Sequence, residues 1–100
     1  MIDELKVQVQ YYGSIRAVSE KRDEEVVLSP NTTVYGLLQN LAGSYGEHFR
    51  DEIFKAGGED LRDDLTVTVN GTIIDHPSVN GVILKPGDEI ALFPVFPGGG

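Results

Sequence analysis

The chain has 100 residues, 40% of them hydrophobic and 24% charged, which suits one globular domain and argues against disorder. A domain of this length buries roughly two-thirds of the surface its unfolded chain exposes, so it folds without staples. With no cysteine, disulfides, thiolate metal sites and cysteine nucleophiles are excluded. The net charge of −8 repels phosphates and anionic lipid, so neither nucleic acid nor membrane is an expected partner. It suits either a basic protein partner or simple solubility. The start, MIDELKVQVQ, lacks a basic region followed by an apolar core, and no apolar run approaches the ~20 residues that cross a membrane. A cytoplasmic location is the expectation.

Along the chain, Leu5, Val7, Val9 and Tyr11 alternate with Lys6, Gln8, Gln10 and Tyr12, the pattern of a half-buried strand. GSIRAVSEKRDE breaks that alternation and reads as a loop with room for a helical turn. EEVVLSP reads as a short second strand closed by Pro30. Val34, Leu37, Leu38, Leu41 and Tyr45 recur at helical spacing, with Thr33 as N-cap and Gly46 as the stop. EHFRDEIFK predicts a short second helix with Phe49, Ile53 and Phe54 facing in. AGGEDLRDD reads as an exposed loop. LTVTV, the Asn70-Gly71 turn and Thr72 to Ile74 predict a tight hairpin. KPGDE supplies a further turn, and EIALFP a last strand with Ile90 and Leu92 facing the core. The order strand, strand, helix, strand, strand, strand implies an α+β fold. The first and last strands lie parallel and adjacent, and a mixed sheet of about five strands packs on one main helix: the ubiquitin-like β-grasp arrangement.

Motifs of catalysis are sparse. AGGED lacks the Gly-Lys-Ser/Thr ending of a phosphate loop, and there is no GxSxG elbow. His48 and His76, the two histidines, share no ligand spacing, so no metal site is expected; His76 reads as a turn residue and His48 as a surface residue near a helix start. Asp60, Asp63 and Asp64 lack the alternation and central glycine of a calcium loop and read as a solvated face.

The end of the chain, ALFPVFPGGG, is the candidate site. Prolines stop the last strand, and consecutive glycines make a slim arm able to enter a narrow channel. At its end stands a carboxylate that becomes a good acyl donor once joined to AMP, provided a partner supplies the ATP site and excludes water. Alternation sets Phe93 on the face opposite Ile90 and Leu92, and leaves two readings open for it, docking contact or core packing; Phe96 is the more exposed aromatic. The expected division is a β-grasp domain over residues 1–97 and a glycine tail over 98–100.

The segments VQYYGSIRAVSEKRDEEVVL, TTVYGLLQNLAGSYGE, LTVTVNGTIIDH and LKPGDEIALFPVFPGGG together resemble the MoaD/ThiS family of sulfur carriers, which includes the small subunit of molybdopterin synthase. The resemblance runs in order over nearly the whole chain, and GDEIALFP followed by terminal glycines is its most specific part. It implies that the chain is not catalytic alone, binds no cofactor, and is adenylated at its C-terminal glycine by an E1-like enzyme that uses ATP. It implies a thiocarboxylate that donates sulfur for molybdopterin, with the large subunit of molybdopterin synthase as a second partner. Carried onto this chain, Gly100 is the activated residue with Gly99 beside it, and Phe93, Pro94, Phe96 and Gly98 are the partner-binding positions. Two features depart from the family pattern: three terminal glycines instead of two, and a tail about one residue longer. Two other functions fit the same features, a ubiquitin-like modifier joined to lysines through the same glycine and a plain interaction module with an inert tail.

Overall fold

The computed structural model describes residues 4–94. Alternation in the first segment yields β1 (Leu5–Tyr11), with Leu5, Val7, Val9 and Tyr11 buried. GSIRAVS, expected to be mostly loop, is a two-turn helix, α1 (Gly13–Ser19). Seven residues are too few for helical spacing to stand out in sequence, yet Ile15 is buried and Val18 packs against the core from this short element. It ends at Glu20, which takes the left-handed conformation at φ 60° and returns its N–H to Arg16 O at 2.8 Å. β2 (Asp23–Leu28) follows, antiparallel to β1, with Val26 and Leu28 turned inward.

The main helix, α2 (Val34–Tyr45), starts where the sequence indicates: Thr33 Oγ1 accepts from Gly36 N–H at 3.0 Å. Two more amides of its first turn are satisfied from a distant loop, Val34 N–H by Val82 O and Tyr35 N–H by Val79 O. Gly46, at φ 97°, ends α2 and opens α3 (Glu47–Ile53), which buries Phe49 and Ile53, with Phe54 buried just beyond. The AGGEDLRDD segment is less exposed than expected. Leu61 is buried and bridges back to Phe54, because an apolar residue this close to the end of α3 finds the core within reach.

β3 (Leu65–Val69) and β4 (Thr72–Ile74) form the expected hairpin, with Asn70 at φ 51° and Gly71 at φ 84°. His76–Ser78 make one 3₁₀ turn, and β5 (Glu89–Pro94) closes the sheet in the order β2-β1-β5-β3-β4. β5 runs parallel to β1 and antiparallel to β3. The core sits between the inner face of this mixed sheet and the helices, where Val7, Val9, Val67, Ile90 and Leu92 meet Leu37, Leu38 and Leu41. The α+β, ubiquitin-like arrangement stands, with two short helices added to the main one. Phe96, Gly98, Gly99 and Gly100, and the expected domain boundary at 97/98, lie outside the described residues.

Candidate functional site: the end of the last strand

β5 carries the chain to the tail, so its last two described residues set where the tail begins. Ile90 and Leu92 are buried on the inner face. Phe93 therefore falls on the outer face, half-buried and outside the core cluster. There it stacks on Tyr12, with ring centroids 4.4 Å apart and planes 14° from parallel. The parallel register that sets Tyr11 opposite Leu92 brings the next residues, Tyr12 and Phe93, together on this face. Arg16 adds a third layer: its Cζ lies 5.4 Å from the Tyr12 ring centroid, and its Nε donates to Tyr11 O at 3.0 Å. The Tyr12 hydroxyl donates to Gln10 Oε1 at 3.4 Å.

Pro94 stands opposite Leu65 of β3. Its missing N–H removes no ladder bond. Tyr12 N–H donates to Leu92 O at 3.2 Å, so the polar groups of Leu92, and by alternation those of residue 94, face β1. β1 has already ended at Tyr11, and Gly13 occupies the space instead. A Cβ on Gly13 would stand 2.7 Å from Pro94 Cγ, and Gly13 has φ +56°, so glycine fits this close approach on both counts. On the other side of β3, His76 Nε2–H donates to Leu65 O at 2.6 Å, replacing the strand bond that β4 is too short to supply. His76 is thus the turn residue its sequence suggested, now with a structural partner. His48 is exposed in the first turn of α3. Among the described residues no group of three or more His, Asp or Glu side chains could hold a metal ion. Asp63 pairs with Lys55 at 3.2 Å and Asp64 with Arg62 at 3.0 Å.

The profile of the ThiS family matches residues 9–99, from within β1 to the second of the three final glycines. The chain belongs to the ThiS family. These are ubiquitin-like sulfur carriers, and the solved structures agree on the fold. The small archaeal modifier protein 1 of Haloferax volcanii superposes with a TM-score of 0.78 at 25% identity, covering 91% of this chain and 98% of that one. A putative molybdopterin converting factor, subunit 1, from Pyrococcus furiosus gives 0.72 at 29% identity, covering 91% and 98%. Urm1 of Trypanosoma brucei gives 0.74 at 22% identity over 99% and 100%, a likeness of fold. No curated protein sequence matches the chain at a significant level. Among the described residues no helix is long and apolar enough to cross a membrane.

Within this ThiS-family domain a second polar centre went unnoticed in the sequence, on the opposite face of the sheet. Glu24, on the inner side of β2, accepts from the Tyr11 hydroxyl at 2.6 Å, from the Tyr45 hydroxyl, and from Lys21 Nζ at 3.2 Å. Burial alone would raise the Glu24 pKa; the three donors outweigh it and hold the carboxyl below the usual glutamate range. Burial, and then the bond to Glu24, push the Tyr11 hydroxyl far above the ordinary tyrosine value. The same two causes, in the same order, raise Tyr45. Tyr11 also meets Tyr45 and Phe49 edge-on, with centroids 6.2 and 5.8 Å away. The one sequence signal for this centre is parity: within the acids that open β2, Glu24 falls on the same side as the apolar Val26 and Leu28.

Proposed function

We propose that the chain is a sulfur carrier for molybdopterin-type molybdenum or tungsten cofactor synthesis, serving as the small subunit of a molybdopterin synthase and not as a catalyst alone. The observation that carries this reading is the extent of the family match, which runs through the glycine tail to residue 99. The 29% identity to a chain described as a putative molybdopterin converting factor subunit supports the choice of pathway. The chemistry lies at Gly100. Its carboxylate attacks the α-phosphorus of ATP held by an E1-like enzyme and releases pyrophosphate, leaving an acyl-adenylate. Hydrosulfide released by a donor then adds to the acyl carbon, AMP leaves with the electrons of the broken C–O bond, and the thioacid loses its proton, so the terminus becomes a thiocarboxylate. Gly98 and Gly99 give the arm a cross-section narrow enough for the channel of the large subunit. Phe93 and Pro94 form its docking shoulder, to which Tyr12 and Arg16 contribute the stack described above, and Phe96 is a further partner-binding aromatic by its residue type.

Incubation with ATP, the E1-like enzyme and a sulfur donor is expected to add about 16 Da to the intact mass, the exchange of one oxygen for sulfur. An unchanged mass with an enzyme proven active on another carrier sinks the proposal. Removing Gly99 and Gly100 is expected to abolish the shift while leaving the thermal midpoint unchanged. If the shortened chain still restores cofactor synthesis in a strain lacking the protein, the tail is inert and the domain is a plain interaction module.

A second reading has its own support in the 25% identity to a small archaeal modifier protein. The same adenylate, attacked by a lysine amine in place of sulfur, gives an isopeptide. Glutamyl endopeptidase cuts after Glu89, so a conjugate leaves the 90–100 segment branched on the target lysine. Its absence from cells that make the protein counts against the modifier reading alone.

A further inference from the structure

We propose that the open edge of β2 is a docking site for an extended, basic peptide that adds to the sheet as a sixth strand. β2 lies at the end of the strand order, and its six residues make it the long free edge, against three for β4 at the opposite end. Tyr11 N–H donates to Arg22 O, and the register sets Tyr11 opposite residue 22, so the even-numbered residues of β2 turn their polar backbone groups toward β1. The N–H and C=O groups of Asp23, Glu25 and Val27 point the other way, outward, and have no partner among the described residues. Such a row is a ready template for another strand.

Side chains say what kind of strand. On the outer face, Asp23 and Glu25 are exposed beside Val27, which is 52% exposed. On the inner side, a groove of ≈ 360 Å³ runs between β2 and α2, lined among others by Val26, Leu41, Asn40, Ser44 and Tyr45. An added strand drops alternate side chains into this groove and lays the others beside Glu25 and Asp23. The fitting peptide alternates apolar residues with Lys or Arg. A second copy of this chain is the poorer occupant, because pairing β2 with itself sets carboxylates against carboxylates across the strands. This edge is separate from the face around Phe93, so the proposal stands or falls independently of the tail's chemistry.

The test uses an eight-residue peptide of alternating lysine and valine, titrated into the full chain and followed by amide NMR. The expected result is saturable binding, shift changes confined to β2 and to Asn40–Tyr45 of α2, and slowed exchange at the Asp23, Glu25 and Val27 amides. A control peptide N-methylated at alternate backbone positions keeps the charge and loses the strand bonds; it is expected to bind at least about tenfold more weakly. Val27→Pro removes an outward N–H that bonds nothing in the free protein, and Glu25→Lys reverses the charge; each is expected to weaken binding about tenfold. Equal binding by the N-methylated peptide, shift changes spread over the acids of α3, or association of the chain with itself through β2 overturns the proposal.

Discussion

Tyr11 and Tyr12 are neighbours in sequence and opposites in structure. Tyr11 is fully buried on the inner face, with its hydroxyl on Glu24 and its ring edge-on to Tyr45 and Phe49. Tyr12 lies half-buried on the outer face, stacked on Phe93 beside the exit of the tail. One step along the chain thus separates an aromatic that holds the fold from one on the face to which the proposed function assigns docking. The difference teaches that the same residue type, in one dipeptide, divides between the core and the outer face of the sheet by parity alone.

The largest expected effect tests this division directly. Tyr11→Ala opens a cavity among buried rings and removes one of the three donors to the Glu24 carboxylate, and is expected to lose about 3–5 kcal/mol of unfolding free energy in urea. Tyr12→Ala gives up one half-buried aromatic stack and is expected to lose about 1 kcal/mol or less. Equal losses for the two would break the comparison.

The inner centre also carries a pH signature. Glu24 has a depressed folded-state pKa, so its contribution is fully present above the ordinary value of 4.5 and is lost as pH falls through the lower folded value. Tyr11 has a raised one, so the neutral hydroxyl's contribution is present below its ordinary value of 10.0 and fades as pH rises above it. Glu24→Gln is expected to lower stability at neutral pH by about 1–3 kcal/mol, as a hydrogen bond to a charged group is lost. It should also flatten the acid limb of the stability profile and make the alkaline limb shallower without abolishing it, because burial, the larger cause of the Tyr11 rise, remains while the contribution of Glu24 is lost. An acid limb as steep as that of the parent chain would show that other carboxylates govern it.

The outer face answers to a different measurement. Phe93→Ala is expected to raise the KM of the E1-like enzyme for this carrier about tenfold, or ~1.4 kcal/mol, with kcat little changed. Its stability loss should stay close to that of Tyr12→Ala. A fall in kcat at constant KM would move Phe93 from docking to aiming the tail.

How much of this was legible beforehand follows from how far each signal travels along the chain. Strand alternation from Leu5 to Tyr11, the helical stripe from Val34, its Thr33 cap and the Asn70-Gly71 turn are local, and each formed where its spacing indicated. The helix α1 was mostly missed because two turns hold too few apolar positions to show a period, and its burial comes from Ile15 meeting the rest of the core. The partners at the tail's base were hidden for another reason. Tyr12 and Gly13 meet Phe93 and Pro94 across eighty residues, and only the parallel pairing of β1 with β5 brings them together. Glu24 likewise sits in a run of acids from Asp23 to Glu25, and only the antiparallel register sets it opposite Val9, on the buried side.

The smallest effect belongs to a site that touches neither aromatic group, and this makes it useful. Gly36 and Gly43 both sit inside α2, where glycine costs about 0.8–1.0 kcal/mol relative to alanine. Their surroundings differ. A Cβ at Gly36 would lie 3.1 Å from Thr32 Cγ2, whereas one at Gly43 meets nothing within 4 Å. Gly43→Ala is therefore expected to raise unfolding free energy by about 0.5–1 kcal/mol in urea, and Gly36→Ala by less, since Thr32 must give way. Gly43→Ala should leave the KM of the E1-like enzyme where it was. Combined with Phe93→Ala, it restores about what the Phe93 change removes from stability while the raised KM persists. If the KM recovered together with the stability, the outer face would be acting through the fold, and the division between Tyr11 and Tyr12 would collapse into a single stability effect.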